Sequence, residues 1–119
     1  MAVQSYKDLI VWQKSVQLVT IVYKLTNQLP KSEMFGLTSQ MRRCSISIPS
    51  NIAEGSRRGS RKDYRHFLLN SYGSGAELET QLEIAKQLPF GRNIDYYQAD
   101  ELLDEVMRML NSMIKNLRP

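Results

Sequence analysis

The chain of 119 residues has one cysteine, one histidine and one tryptophan. A single cysteine, Cys44, excludes an internal disulfide and any paired-cysteine metal site. Cys44 lies in an apolar helical stretch and reads as a small core residue. A single histidine, His66, excludes the two carboxylate-x-x-His motifs that a di-iron bundle requires, so Asp63-x-x-His66 alone makes no metal site. Long hydrophobic runs are missing, and no segment approaches the ~20 apolar residues of a spanning helix. The N-terminal MAVQSYKD lacks the apolar region of a signal peptide. The expectation is a cytoplasmic protein that makes no membrane contact. β signals are weak, with no hairpin dipeptide between alternating runs. There is no phosphate-loop pattern and no nucleophile–base pair, and no cofactor or metal is expected.

What is present is 42% hydrophobic and 24% charged residues, with a formal net charge of +4. That suits one domain, 1–119, with one core. The charge is unevenly spread. From Arg42 to His66 there are seven Lys/Arg against two acidic residues, and from Phe67 to Glu105 two against eight. Such asymmetry suits a polyanionic partner, or self-assembly that sets opposite faces together.

Helical periodicity dominates. Four amphipathic segments are expected, at about 7–29, 33–54, 61–88 and 95–117. The first carries two stripes, Leu9-Trp12-Val16-Val19-Tyr23 and Leu18-Val22-Leu25-Leu29, with Ser5 and Asp8 as a capping box. The second carries Met34, Leu37, Met41, Cys44, Ile48 and then Asn51, with Ser32 as its cap and Gly55 as a C′ glycine. The third is capped by Ser60 with Asp63, and carries Tyr64, Leu68, Ser71, Gly75, Leu78, Leu82 and Ala85. The fourth carries Ala99, Leu103, Val106, Leu110, Met113 and Leu117. Alternating steps of three and four, with short turns near 30–32, 55–60 and 89–94, predict an all-α, antiparallel up-down-up-down four-helix bundle. Gly73 and Gly75 interrupt the third helix, which points to close approach of another helix. Val11, Leu18 and Val22 in the first helix, and Met107, Met109 and Ile114 in the fourth, exceed one bundle's need and suggest subunit contacts.

Pro49 falls inside the second segment. It lacks an N–H, so the carbonyl of Ser45 loses its helical partner, and Ile48 is biased away from α geometry. A break there would leave about six residues before Gly55, too few to stand alone. One helix kinked near Pro49 is expected, with the Ser45 or Ser47 hydroxyl, or water, covering the freed carbonyl. Asn51 lies on the apolar stripe and requires a hydrogen-bond partner, expected on loop or helix backbone near a neighbouring helix end. Glu54 is placed to pair with Arg57 or Arg58.

The stretches SIPSNIAEGSRRGSRKDYRHFL, GSGAELETQLEIA and SYKDLIVWQKSVQLV together resemble the 23S rRNA intervening-sequence protein family, also described as four-helix bundle or ribosomal-protein-like. They are similar as well to the accessory variability determinant of diversity-generating retroelements, a pentameric bundle that binds nucleic acid and partners a reverse transcriptase. The resemblance implies a homopentamer of bundles with a basic surface.

The basic run Arg57, Arg58, Arg61, Lys62 and Arg65, with Arg42 and Arg43 upstream, is the main functional signal. Arg61 and Arg65 share a helical face. Gly55, Ser56, Gly59 and Ser60 let the chain approach a phosphate closely, and the helix beginning after Ser60 supplies unpaired N–H groups. Contacts of this kind hold RNA or DNA without reading its sequence. Aromatic residues are sparse there, so base stacking is not indicated. The Arg61-x4-His66 spacing matches that of HEPN-type ribonucleases, a pattern short enough to arise by chance. Glu79 and Glu83 form no more than a surface carboxylate pair. The expectation is a non-enzymatic, homo-oligomeric module that binds RNA or DNA. The alternative is a structural or adaptor oligomer with a protein partner.

Overall fold

The computed structural model describes residues 5–118; the N-terminal reading made on residues 1–4 lies outside the described residues. Four α-helices follow one another: α1 (Ile10–Thr26), α2 (Leu37–Ser56), α3 (Arg61–Gln87) and α4 (Tyr97–Asn116). Short 3-10 turns precede α1 (Tyr6–Asp8) and α2 (Lys31–Glu33), and another joins α3 to α4 (Pro89–Gly91). Each helix packs on its two neighbours around a closed ring, α1 with α2 and α4, α3 with α2 and α4. With turns this short, successive helices are antiparallel, and the molecule measures 46 × 24 × 21 Å. The all-α four-helix bundle is as the sequence periodicity requires. Among the described residues no helix is long and apolar enough to cross a membrane.

The stripes of α3 and α4 form the core as read. Leu68, Leu78, Leu82 and Ala85 face Leu103, Val106 and Leu110, all buried. α1 differs. Its core edge is Val11, Leu18, Val22 and Leu25, whereas Tyr23 is exposed. Val11, Leu18 and Val22, with Met107 and Ile114 of α4, are therefore core residues and not surplus for subunit contacts; Met109 is half-buried against the same core. The apolar surplus lies elsewhere, at Met34 and Phe35, the latter 97% exposed. Met34, placed on the α2 stripe by its spacing, thus falls before that helix and outside the core.

The start of α2 also departs from expectation. Ser32 lies within the preceding 3-10 turn and caps nothing. Gly36 is the N-cap, and the carboxylate of Glu33 accepts from the Leu37 N–H at 3.2 Å. A carboxylate reaching that first free N–H does the work of a capping hydroxyl. By contrast, Ser60 caps α3 as expected, its hydroxyl accepting from the Asp63 N–H at 3.1 Å.

α2 runs as one helix through Pro49, which is buried. Neither nearby hydroxyl is bonded to the Ser45 carbonyl. Ser45 Oγ donates to the Arg42 carbonyl at 2.8 Å, and Ser47 Oγ bonds Ser74 Oγ of α3 at 2.8 Å. Asn51 does not reach a neighbouring element. Its Nδ2 donates to the Ser47 carbonyl (2.9 Å) and hydroxyl (3.0 Å), one turn back in its own helix. Ser71 of α3 completes this seam, donating to the Ile48 carbonyl at 2.8 Å from a fully buried site. Small hydroxyl residues let α2 and α3 approach closely while every hydroxyl in the contact keeps a partner.

Gly55 does not terminate α2. The helix continues to Ser56, Arg57 caps it in αR geometry, and no glycine has positive φ. Gly55 is there for space: a Cβ would meet Phe67 Cβ at 2.7 Å and the Tyr64 carbonyl oxygen at 3.3 Å. Gly75 likewise accommodates the Met107 side chain of α4. Gly73 faces open space, so the close approach inferred for it is absent.

Cys44 is buried, as its stripe position implies. Burial pushes its thiol above the ordinary range, and the neighbouring Glu77 adds to the rise. Burial also raises the phenols of Tyr64 and Tyr96. Lys86 is raised first by its hydrogen bond to Asp100, at 2.7 Å. In all four cases the folded chain holds its proton more tightly than the unfolded chain. The folded state therefore binds more protons between each unfolded and folded value, and stability falls as pH rises there. Thermal melts should show a stable plateau near neutrality and a falling midpoint above about pH 9, where the unfolded thiol begins to ionise. Cys44→Ala should delay the onset of that fall.

Candidate nucleic-acid interface

The antiparallel arrangement brings the start of α1, the end of α2, the start of α3 and the end of α4 to one end of the bundle. Lys7, Arg57, Arg58, Arg61, Lys62, Arg65, Lys115 and Arg118 belong to these segments, against Asp8, Glu54 and Asp63. Lys7, Lys115 and Arg118 were not visible as part of the group in the sequence, because they lie about 50 residues from the basic run on either side. Only the topology assembles them.

The arginines are not equally available. Arg61 Nη2 donates to the Asn116 carbonyl at 2.9 Å, and Arg65 Nε to the Ile114 carbonyl at 3.2 Å. The last carbonyls of a helix have no partner within it and carry the negative end of its dipole. Two cations from α3 therefore cap α4. Arg58 lies over the Phe67 ring (4.9 Å) and reaches Glu54 at 3.4 Å, an exposed pair worth little. Arg57 lies over the Tyr6 ring at 5.4 Å. Lys62 is exposed, with no bonded partner among the described residues.

The start of α3 adds its own polarity. Ser60 satisfies the Asp63 N–H, which leaves the N–H groups of Arg61 and Lys62 at the helix N-terminus without an intrahelical acceptor. Gly59 is unobstructed, so a phosphate oxygen meets no bulk there.

Arg42 and Arg43 do not join this end. Fifteen positions of helix separate Arg42 from Arg57, about 22 Å. Arg42 is committed to α1: Nε donates to Thr26 Oγ1 (2.9 Å), Nη2 to Asn27 Oδ1 (2.9 Å), and the guanidinium covers the Tyr23 ring at 4.4 Å. Arg42→Ala should lower stability by about 2 kcal/mol, the range for hydrogen bonds from a charged group that is half withdrawn from water. Urea unfolding would measure this, and affinity for nucleic acid should change less than about twofold.

Asp63, His66, Glu79 and Glu83 are exposed on α3. Asp63-x-x-His66 therefore does not face the bundle interior, and Arg61, the arginine of the ribonuclease-like spacing, is engaged with the end of α4.

Among curated proteins nothing matches the sequence. The family model described as 23S rRNA-intervening sequence protein matches residues 7–112, which cover α1, α2, α3 and α4 up to its last turn.

Proposed function

Starting from a chain that belongs to the 23S rRNA-intervening sequence protein family, we propose that it is a non-enzymatic, oligomeric bundle that holds the phosphates of RNA or DNA at its basic end. The observation that carries this is the gathering of cations from all four helical segments around the exposed N-terminus of α3. Arg57, Arg58 and Lys62 make phosphate contacts that carry no part of the fold. Arg61 and Arg65 cap α4 with one N–H each and keep their remaining donors for a phosphate. Contacts of this type give affinity that falls with salt and is indifferent to base sequence.

Fluorescence anisotropy with labelled single-stranded RNA and DNA, at about 50 and 200 mM salt, tests the proposal. The expected slope of log affinity against log salt is about −0.7 per contacted phosphate. Absence of binding at the lower salt overturns it.

A structural role rests on a different observation, at the opposite end. There Met34, Phe35, Phe90 and Tyr97 are exposed, and Tyr23, Met34, Phe35 and Ile46 line a shallow apolar depression with Arg42 and Arg43. Exposed aromatic side chains in such a cluster suit burial between subunits. Light scattering should give an oligomer, a pentamer by the likeness noted above, and Phe35→Asp should shift it to smaller species. A strict monomer for the unaltered chain overturns the oligomeric part. In an oligomer each basic end is repeated, so modest contacts add by multivalency.

A further inference from the structure

The basic end contains a cleft of about 580 Å³ between the first turns of α3 and the last turn of α4. Arg61, Lys62, Arg65, His66, Leu69 and Leu117 line it. That volume falls in the range of roughly 300–1,000 Å³ that accommodates small ligands. Two properties distinguish it from a plain basic surface. First, its two arginines are oriented before any ligand arrives. Each gives one N–H to a carbonyl of α4, at 2.9 and 3.2 Å, and a guanidinium carries more donors than that one bond uses. Holding the fork in place lowers the ordering cost of a charge-assisted contact to an anion.

Second, one wall is apolar. Leu69 is 42% exposed although four basic side chains share its cleft, and Leu117 is half-buried beside it. A bare phosphate has no use for such a wall, and the exposed part of Leu69 on this basic face is covered by nothing within the chain. A phosphate carried on a flat, largely apolar body uses both halves of the cleft. The planar imidazole of His66 adds a surface suited to the face of a base.

We propose that this cleft is a pocket for a single nucleotide, with its phosphate against Arg61 and Arg65 and its base over Leu69, Leu117 and the His66 ring. The proposal rests on the phosphate-binding role given above and names the unit that this end would hold. A free mononucleotide and a phosphorylated strand end share the required chemistry.

The test is calorimetric titration of the full chain with adenosine monophosphate, ribose 5-phosphate and inorganic phosphate at low salt. Adenosine monophosphate should bind at least about tenfold more tightly than the other two, because only it covers the apolar wall. Leu69→Ser, at an exposed helix position, should remove most of that advantage and leave phosphate binding unchanged. A 5′-phosphorylated oligonucleotide separates the two sources. Displacement of that strand by the mononucleotide supports the pocket as a strand-end site, and binding without displacement supports it as a free-nucleotide site. Equal affinities for the three ligands, or no effect of Leu69→Ser, overturns the pocket. Strand binding that persists in that case leaves the broader phosphate role standing, whereas mononucleotide binding without any strand binding supports the pocket and overturns the broader role.

Discussion

Replacing Arg57, Arg58 and Lys62 together by alanine should weaken single-stranded RNA binding about a hundredfold at low salt and flatten its salt dependence by about two units of slope. The three side chains are exposed and surround the N-terminus of α3. None of them carries the fold. Arg58 makes one weak exposed pair with Glu54 and lies over the Phe67 ring, and Arg57 lies over a tyrosine at the surface. Each loss should therefore change stability by about 0.5 kcal/mol, the usual range for a surface substitution. The contrast with Arg61 and Arg65 sharpens the expectation. Removing Arg61 leaves the Asn116 carbonyl without its donor, and removing Arg65 leaves the Ile114 carbonyl with only the Leu117 N–H, so binding and stability would fall together. A loss of binding in the triple variant with an unchanged melting profile thus isolates phosphate contact from folding. In an oligomer the loss is repeated in every subunit, and the measured change grows accordingly.

The second large effect concerns the turn between α3 and α4. Gly91→Ala should destabilise the chain by about 3 kcal/mol, at the upper end of overpacking costs. Gly91 is buried in the Pro89–Gly91 turn, its N–H donates to the Leu88 carbonyl (2.9 Å), and its own carbonyl accepts from the Tyr96 hydroxyl (2.7 Å). An added Cβ would run into the Ala85 backbone carbonyl and lie 2.8 Å from the Tyr96 oxygen. Its φ is not positive, so the obstacle is steric. A backbone carbonyl in the last turn of α3 cannot rotate aside as a side chain can. Gly75→Ala makes a useful comparison, because its obstacle is the Met107 side chain. A thioether with several rotatable bonds can move away, and the cost should be smaller. Gly73→Ala meets nothing within 4 Å and should stabilise α3 by about 0.5–1 kcal/mol. Urea midpoints should therefore rank Gly73→Ala above the unaltered chain, Gly75→Ala below it, and Gly91→Ala lowest.

Much of this fold is legible in the sequence, for reasons that particular residues make plain. In α3 and α4 one apolar stripe dominates, and its members Leu68, Leu82, Leu103 and Leu110 turn inward as their spacing predicts. α1 carries apolar residues on two faces, and spacing alone cannot say whether Val16-Val19-Tyr23 or Leu18-Val22-Leu25 turns inward. Packing against both α2 and α4 selects the second. The caps divide in the same way. Ser60 precedes α3 directly and caps it, whereas at α2 the carboxylate of Glu33 reaches past three residues to Leu37, and Ser32 is left inside a turn. Gly55 resembles a helix terminator in the sequence because a turn follows it. Its role is to admit Phe67 and Tyr64, which only the third dimension shows.

The basic run was equally visible, but its division of labour was not. Arg42, Arg61 and Arg65 are engaged by Thr26, Asn116 and Ile114. Two of those three acceptors are backbone carbonyls, which carry no signature in sequence. Conversely, Lys7, Lys115 and Arg118 join the basic end through helix direction alone. Gly91 does not stand out in the sequence, because a glycine in a short turn is common and nothing local marks the Ala85 carbonyl that excludes a side chain there.

The most direct measurement of where phosphate sits is a backbone and arginine side-chain NMR titration with a short single-stranded RNA at low salt. Shift changes should concentrate at Arg57 to His66, with the amides of Arg61 and Lys62 at the start of α3 among the largest, and should extend to the last turn of α4. Changes confined to the face around Phe35, Arg42 and Ile46, or no changes at all, would contradict the assignment of phosphate binding to this end of the bundle.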